Sequence, residues 1–309
     1  MNKRIIIAGA TGFIGKRLTA KLSSNGYNLS IISRDLKKSK TIFPHFTHID
    51  WNLPEEQFIN EINDSLGIIN LAGASLAGKK WTESYKKVII DSRVRTTKRI
   101  VQAIEKCLIK PKFLINASAI GFYGNRGDEI LTENSIKGSG FLSDVCLSWE
   151  EAAKPAKVYT RVVIPRIGIV LDKKEGALSK MILPYKLFIG GSLGSKKDWI
   201  SWIHIDDLID MFLWAIENEN IKDQINCVSP TPIQKKDFNI ILAKVLRKPN
   251  WLSLPEFALK FILGEASEML ISSQRVLPDK PLSFGFKYQY EELDYALFSL
   301  LRNKYLKFV

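Results

Sequence analysis

Short apolar runs alternate with amphipathic stretches over roughly the first 165 residues of the chain. Residues 4–8 form a compact apolar run, and residues 13–25 follow with Ile14, Leu18 and Leu22 spaced for one face of a helix. Strands that alternate with helices in this way predict a mostly parallel sheet with helices on both faces. We therefore expect an α/β fold, namely a Rossmann-type doubly wound parallel sheet.

The same periodicities predict the remaining elements. Further strands are expected at residues 29–33, 48–51, 67–72, 113–118, 161–171 and 224–228. Helices are expected at residues 81–107, 142–156, 206–217, 236–245, 255–263 and 291–303. The order predicts a large domain, from residues 1–170 and roughly 200–230, and a smaller, mostly helical C-terminal cap from roughly 171–199 and 231–309.

A glycine motif follows the first predicted strand and opens the first predicted helix. Gly9, Gly12 and Gly15 have the spacing G-x-x-G-x-x-G. In this context the first glycine permits a tight turn, the second lets a pyrophosphate approach the backbone, and the third lets the helix pack on the strand. Free N–H groups and the helix dipole favour the anion. The expected dinucleotide-binding residues are Gly9, Thr11, Gly12, Phe13, Ile14 and Gly15.

The end of the second strand indicates which dinucleotide binds. NAD-binding proteins usually carry Asp or Glu there for the ribose 2′-hydroxyl, whereas this chain has Ser33 followed by Arg34. A guanidinium can bind a 2′-phosphate in a fork, and a carboxylate would repel it. We predict NADP(H) rather than NAD(H). The alternative is that Arg34 is merely solvated and that Asp35 binds the ribose.

The composition limits the other functional classes. The net charge of +13 allows nucleic-acid binding, but the basic residues are dispersed and no stacking motif accompanies them, so no nucleic acid is expected. The basic surface equally suits a phosphorylated cofactor or an acidic substrate. Three widely spaced cysteines favour neither a disulfide framework nor a zinc site, and no metal is expected. We expect a cytoplasmic protein without a membrane span, whose first apolar run is a strand rather than a signal peptide.

Several motifs together resemble one protein family. They are AGATGFIG at 8–15, NLAGA at 70–74, SR at 92–93, SAIGFYG at 118–124, SWEE at 148–151, RIGIVL at 166–171, WIHIDD at 202–207, NCVSP at 226–230, QRVLP at 274–278 and GF at 285–286. The chain resembles the short-chain dehydrogenase/reductase superfamily, and within it the atypical, YfcH-like epimerase family with its branch-specific C-terminal domain. The resemblance spans nearly the whole chain.

The superfamily's usual acid/base pair is missing. Most members use Tyr-x-x-x-Lys on one helix, where the lysine lowers the pKa of the tyrosine so that its phenol can exchange a proton with the substrate. Counted back from Glu150, the two positions fall on Leu142 and Cys146, and no tyrosine in the chain is followed four residues later by lysine. The resemblance therefore does not carry over this chemistry.

Two residues are candidate substitutes. Ser118 ends the fifth strand, at the position where the resemblance places the catalytic serine, and it can hydrogen-bond a carbonyl. Tyr123 follows in a glycine-flanked loop and can donate a proton, or it is simply a packed aromatic. Cys146 is expected to be buried and inert, because its neighbours in sequence are acidic.

Arg166 and His204 are weaker candidates for the substrate site. Arg166 can bind a phosphate or carboxylate, or it can pair with Asp206 or Asp207 and only hold the domains together. His204 can act as acid or base, although a histidine with no placed partner is more often structural. Asp206 is expected to cap the helix that follows.

The resemblance adds further cofactor contacts. It implies that Asp50 and Trp51 flank the adenine and that Leu71, Ala72 and Gly73 run beneath the cofactor. It also implies a possible homodimer. We predict an NADP(H)-dependent oxidoreductase or epimerase-like enzyme that acts on a small polar substrate and lacks the Tyr-x-x-x-Lys pair. The alternative is a non-catalytic NADP(H)-binding sensor or scaffold.

Overall fold

The structure is a computed structural model that describes residues 3–77, 79–254, 256–257, 261 and 264–302. Its strands are β1 (Arg4–Ala8), β2 (Asn28–Ser33), β3 (Thr47–Asp50), β4 (Gly67–Asn70), β5 (Phe113–Asn116), β6 (Ser118–Ala119), β7 (Ile130–Leu131), β8 (Arg161–Ile167), β9 (Ile169–Leu171), β10 (Gly191–Leu193), β11 (Trp199–Ile200), β12 (Trp202–His204), β13 (Asp223–Cys227), β14 (Ile233–Gln234), β15 (Leu252–Leu254) and β16 (Arg275–Val276).

Its helices are α1 (Phe13–Ser24), α2 (Leu36–Ile42), α3 (Glu55–Ile62), α4 (Glu83–Lys106), α5 (Phe141–Ala153), α6 (Gly176–Lys186), α7 (Ile205–Glu217), α8 (Lys235–Leu246), α9 (Glu268–Ile271), α10 (Asp279–Ser283) and α11 (Leu293–Arg302). The helix predicted at 255–263 lies largely outside the described residues. Among the described helices, none is long and apolar enough to cross a bilayer.

The main sheet is parallel and has the strand order β3-β2-β1-β4-β5-β8-β13. The short strand β6 extends it by pairing with β8. The order reverses between β1 and β4, which leaves a crevice at the carboxyl ends of these strands. The predicted doubly wound sheet is confirmed, and the predicted glycine motif lies at this crevice.

Both faces of the sheet are buried, which explains why its strands have continuous apolar sequences. In β1, Ile5 and Ile7 pack on one face with Leu18 of α1. Ile6 points to the opposite face, where Ile104 of α4 packs with it. Each such aliphatic side chain contributes about 1.5–3 kcal/mol when fully buried. A separate core joins Trp202, Phe238 of α8 and Leu297 of α11 on the C-terminal side. The division into two domains stays a prediction.

The sequence predictions of secondary structure differ from the structure in some elements. The helices α2, α3 and α6 were not predicted; α2 and α3 are short and bury few residues. The strand predicted at 161–171 is divided at Gly168, after which β9 leaves the main sheet and pairs with β12. A Cβ at Gly168 would lie 2.6 Å from Val228 Cγ1 and 2.8 Å from the Ser201 carbonyl oxygen. Glycine is therefore required where the chain changes sheets.

Candidate cofactor and active site

The loop after β1 is built around close backbone contacts. Gly9 has φ of +84°, and a Cβ there would lie 2.7 Å from the carbonyl carbon of Leu71. A Cβ at Gly15 would lie 2.2 Å from the Gly9 carbonyl oxygen and 2.7 Å from Ala10 Cα. Backbone atoms cannot move aside as a flexible side chain can. The first and third glycines therefore set how closely α1 approaches β1 and the loop after β4.

The amino terminus of α1 is left open. Gly12 is its N-cap, no side chain caps it, and its first turn has no acidic residue. The first N–H groups of a helix have no partner within the helix. Together with Thr11, Phe13 and Ile14 in the same turn, this end presents backbone donors and a positive dipole at the crevice. Such an end fits a pyrophosphate.

The end of β2 distinguishes between the two cofactor alternatives. Asp35 caps α2, because its Oδ1 accepts the Lys38 backbone N–H at 2.9 Å. Ser33 is tied to the same turn, since its Oγ donates to the Asp35 carbonyl at 2.9 Å. Arg34 is exposed and forms no ion pair or hydrogen bond with the residues described. The Asp35 carboxylate, the alternative ribose ligand, is engaged in a helix cap, whereas the Arg34 guanidinium has no partner among the described residues.

The loop after β3 is supported from α4. The guanidinium of Arg99 lies 4.7 Å from the Trp51 ring centre and donates to the Trp51 carbonyl oxygen. Its Nη2 also donates to the Leu53 carbonyl at 2.6 Å. Asp50 accepts the Asn52 backbone N–H at 2.8 Å and so stabilises the turn. Trp51 is half-buried and its position is fixed.

The loop after β4 is held by a buried amide network. The side chain of Asn70 donates to Asn116 Oδ1 at 2.7 Å and to Thr97 Oγ1 at 3.0 Å. Its Oδ1 accepts the Ala72 backbone N–H at 3.1 Å, and the Leu71 N–H donates to the Ala8 carbonyl at 2.8 Å. The network was missed from sequence, although two asparagines ending apolar strands are a usable signal. Leu71, Ala72 and Gly73 are thereby fixed at the crevice.

A second clamp joins this loop to α4. Ser92 Oγ accepts the Ala74 backbone N–H at 2.9 Å, and Arg93 Nη1 donates to the Ala74 carbonyl at 3.2 Å. A Cβ at Gly73 would lie 2.9 Å from Cζ of Arg93. The Ser92-Arg93 pair in the sequence is thereby explained as an anchor for the loop.

Ser118 and Tyr123 lie in one closed polar network. Ser118 Oγ donates to Glu150 Oε1 at 2.8 Å, and Arg166 forms a two-pronged pair with the same carboxylate at 2.9 Å for both contacts. Arg166 Nη1 donates to the Tyr123 hydroxyl at 3.0 Å, and that hydroxyl donates to Asn226 Oδ1 at 2.7 Å. Every member is buried. The network links α5, β8 and β13 beneath the carboxyl edge of the sheet.

This arrangement bears on the two catalytic candidates. Tyr123 is 0% exposed, and burial raises the pKa of its phenol to about 12. The structure thus places Tyr123 as a packed aromatic rather than in an open loop. Ser118 is at the expected strand edge, but its hydroxyl proton is engaged by Glu150. In this arrangement its oxygen can accept a hydrogen bond more readily than donate one.

The two positions of the missing pair carry a half-buried leucine, Leu142, and a buried cysteine, Cys146. Gly121 packs against α5, where a Cβ would lie 3.4 Å from Leu142 Cβ and 3.5 Å from Cys146 Sγ. Burial raises the pKa of the Cys146 thiol to about 11. A thiol in this state is not a nucleophile near neutral pH, which agrees with the expectation that Cys146 is inert.

Of the two alternatives for Arg166, its pairing with Asp206 or Asp207 is wrong. Its carboxylate partner is Glu150, as described above. Asp207 instead accepts the backbone N–H groups of Gln289 at 2.8 Å and Tyr290 at 3.0 Å. Arg166 is 3% exposed, so its guanidinium is enclosed by the network rather than open to a ligand.

His204 has a structural position. Its Nδ1 accepts the Asp206 backbone N–H at 3.0 Å, so His204 rather than Asp206 is the N-cap of α7. The ring stacks on Tyr290 with 3.7 Å between ring centres, and Ser299 Oγ lies 3.2 Å from Nε2. Burial lowers the pKa of His204 to about 4. The neutral ring is what α7 requires, because a protonated Nδ1 cannot accept the capping hydrogen bond.

This predicts a pH dependence of stability. Between its ordinary pKa of 6.5 and the folded value of about 4, His204 binds a proton in the unfolded chain but not in the folded one. Lowering the pH from 7 to 4 should therefore cost wild type about 2–3 kcal/mol relative to His204→Asn, whose amide can still cap the helix.

Two buried carboxylates affect the pH dependence of stability in the opposite direction, and their contribution cancels when wild type is compared with His204→Asn. Burial raises the pKa of Asp207 to about 6 and also raises that of Asp206, so both favour the folded state at lower pH, in wild type and variant alike. Urea unfolding at several pH values gives the difference. A difference that does not change between pH 7 and 4 would contradict the neutral, buried histidine.

Comparison with known proteins agrees with this geometry. Residues 5–139 match the family described as the NAD dependent epimerase/dehydratase family. Residues 254–300 match a domain of unknown function, DUF1731. The first match covers the glycine loop, the end of β2 and the loop after β4. The second lies in the C-terminal part of the chain.

Full-length relatives are similar over almost the whole chain. The epimerase family protein YfhF of Bacillus subtilis is 37% identical over 97% of this chain and 98% of its own length. The chloroplastic epimerase family protein SDR39U1 homolog of Arabidopsis thaliana is 36% identical over 96% of this chain and 86% of its own. The crystal structure of human epimerase family protein SDR39U1 with NADPH has a TM-score of 0.88 at 29% identity, covering 97% of this chain and 99% of that one. The chain therefore belongs to the NAD-dependent epimerase/dehydratase family, in the group of epimerase family proteins that carry the DUF1731 domain at the C-terminal end.

Proposed function

We propose that this protein binds NADP(H) and acts as an oxidoreductase or epimerase-like enzyme on a small polar substrate. The observation that carries the proposal is the glycine loop. It presents the uncapped amino terminus of α1 at the crevice between β1 and β4, held by contacts that only glycine allows at Gly9 and Gly15. The human relative in its complex with NADPH supports the same cofactor here.

The residues present fit a phosphorylated dinucleotide. The turn from Thr11 to Gly15 would hold the pyrophosphate, and Arg34 would bind the 2′-phosphate, since Asp35 is engaged in capping α2. Asp50 and Trp51 would flank the adenine. Leu71, Ala72 and Gly73 would line the crevice on the β4 side. The bound cofactor would itself carry the hydride that is transferred to or from the substrate.

The substrate would bind at the carboxyl edge near Ser118. Because the Ser118 hydroxyl donates its hydrogen bond to Glu150, its oxygen would accept a hydrogen bond from a substrate hydroxyl. Donation to a carbonyl would require Ser118 to release Glu150. Leu142 is half-buried and Cys146 is buried, and neither side chain supplies a proton near neutral pH.

A second candidate function is a non-catalytic NADP(H)-binding sensor or scaffold. It is favoured by the polar network in which Ser118, Tyr123 and Arg166 satisfy one another rather than facing a ligand. Both functions require the cofactor. They differ in whether NADPH is consumed when carbonyl and sugar compounds are supplied to the purified protein.

Thermal unfolding tests the cofactor. At one hundred times its dissociation constant, a ligand adds about 2.7 kcal/mol and should raise the melting temperature by several degrees. We expect this with NADPH and a smaller shift with NADH. Arg34→Glu should lower NADPH affinity by about tenfold or more and remove the preference, because a carboxylate repels the 2′-phosphate.

Lys98→Glu is the matched control for this charge reversal. Lys98 is an exposed residue on α4, and its replacement should leave the preference for NADPH unchanged. If Arg34→Glu keeps the wild-type preference, Arg34 does not recognise the phosphate. If neither nucleotide shifts the melting temperature of wild type, the proposed function fails as a whole.

A further inference from the structure

Arg93 is a buried cation with no anionic partner among the described residues. Its side chain lies on α4 under the loop after β4, and the residue is 8% exposed. No carboxylate of the described residues forms an ion pair with it, whereas the buried Arg166 pairs with Glu150 and the buried Lys235 with Asp198. Charged side chains are rarely buried unless they are paired. Arg93 is therefore the exception among the buried cations that the structure describes.

The guanidinium is only partly engaged. Nη1 donates to the carbonyl oxygens of Ala74 at 3.2 Å and Ile89 at 3.0 Å, and the Trp149 ring centre lies 5.0 Å from Cζ. Nε and Nη2 have no hydrogen-bond partner among the described residues, and neither atom is fully enclosed. These two atoms form one edge of the planar guanidinium. That edge can donate two parallel hydrogen bonds to an oxyanion.

Gly73 lies against the flat face of this guanidinium. A Cβ at Gly73 would lie 2.9 Å from Cζ, 3.1 Å from Nη2 and 3.3 Å from Nε of Arg93. Because Cζ is nearer than both nitrogens, this Cβ would lie above the plane of the guanidinium and not against its edge. Gly73 therefore lets the loop that ends β4 pack on the guanidinium, beside the proposed cofactor site, without covering the edge formed by Nε and Nη2.

The surroundings do not neutralise the charge. Burial lowers the pKa of Arg93, and the groups that act on it electrostatically are Cys146 and Tyr85. The Cys146 thiol is neutral near pH 7, because burial raises its pKa to about 11. Cys146 lies on α5, where Gly121 of the loop after Ser118 packs against it. The carboxylate of Glu150 is already paired with Arg166.

We propose that Nε and Nη2 of Arg93 bind an oxyanion of the substrate, a carboxylate or a phosphate group, so that the substrate is acidic. The anion supplies the negative charge that the fold itself omits. The identification of this anion as part of the substrate rests on the proposed function. The anion site itself rests on the burial of Arg93 and on the two donors, Nε and Nη2, that have no partner among the described residues.

A purely structural role for Arg93 accounts for the hydrogen bonds of Nη1 but not for Nε and Nη2. Arg93 Nη1 and Ser92 Oγ clamp Ala74 from its two sides, as described above. Neutral donors would serve that purpose as well, and the clamp leaves Nε and Nη2 unused. Ser92→Ala and Arg93→Gln therefore separate the two roles, because each weakens the clamp but only the second removes the charge.

The test is titration calorimetry with two probe anions, oxalate and inorganic phosphate, on the full chain with and without NADPH. We expect wild type to bind at least one of them, Arg93→Gln to lose about tenfold or more in affinity, and Ser92→Ala to stay within about threefold. Binding of oxalate alone indicates a carboxylate, and binding of phosphate alone indicates a phosphate group. Arg95→Gln, at an exposed position on α4, is the charge control and should bind as wild type does.

Two results would overturn the proposal. One is that wild type binds neither anion, and the other is that Ser92→Ala weakens binding as much as Arg93→Gln. If Arg93→Gln does not fold, Arg93→Lys keeps the charge but loses the fork, and the Nε–H nuclear magnetic resonance signal of Arg93 in wild type should shift on titration. NADPH binding measured in parallel distinguishes the two failures: loss of anion binding with NADPH binding intact refutes only the anion site.

Discussion

Glu150→Ala should lower the free energy of unfolding by about 3–5 kcal/mol, because it leaves the guanidinium of Arg166 buried without its carboxylate. The two side chains are 2% and 4% exposed, so water cannot take over the lost hydrogen bonds. Ser118 loses its acceptor at the same time. Urea unfolding of the purified variant measures the effect.

The neighbouring residue provides the control. Glu151 pairs with Lys154 at 2.5 Å, with both side chains about half exposed, and Glu151→Ala should cost less than about 1 kcal/mol. The double variant Glu150→Leu with Arg166→Met should recover much of the loss, because it removes both charges. If Glu150→Ala lowers the free energy of unfolding by less than about 1 kcal/mol, the buried Glu150–Arg166 pair does not hold α5 and β8 together.

Gly15→Ala should abolish the NADPH-induced rise in melting temperature. The added methyl would lie 2.2 Å from the Gly9 carbonyl oxygen, and backbone atoms give way only if α1 moves off β1. Overpacking of this kind costs about 1–3 kcal/mol, and the shifted amino terminus no longer meets the pyrophosphate. We expect a loss of NADPH affinity of about one hundredfold or more, measured by calorimetry.

Gly12→Ala distinguishes packing from binding. Gly12 has φ of −76°, which any residue can adopt, and a Cβ there has one tight contact, 3.2 Å from the Gly9 carbonyl oxygen. This variant should keep nearly wild-type stability while its methyl blocks the close approach of the pyrophosphate.

If Gly15→Ala binds NADPH and melts as wild type does, the third glycine is not needed for helix packing.

The cofactor half of the site could largely be predicted from the sequence. The glycine motif lies in one short stretch of the sequence, from Gly9 to Gly15, and each glycine in it has its own steric reason. The identity of Ser33 and Arg34 at the strand end is equally local. These predictions need only the register of one βαβ unit, which the apolar pattern gives.

The catalytic half could not be predicted in the same way. Ser118 was expected at the sheet edge, and it lies there. The pairing of Arg166 with Glu150, and the position of Tyr123 beneath both, depend on how α5, β8 and β13 come together. Asn226 accepts a hydrogen bond from Tyr123, although the two residues are 103 positions apart in the sequence. No local pattern indicates such a partner.

The sequence by itself determined the doubly wound sheet, the glycine loop and the absence of a Tyr-x-x-x-Lys pair, because each depends on spacing along one continuous stretch of chain. Only the tertiary structure decided which charges neutralise one another. A buried ion pair forms where distant elements meet, so Arg166 acquired Glu150, whereas the buried Arg93 has no carboxylate partner in the part of the chain that the structure describes. The physical reason is desolvation. Removing a charge from water costs free energy, and the cost is offset only where the fold or a ligand supplies a partner of opposite charge.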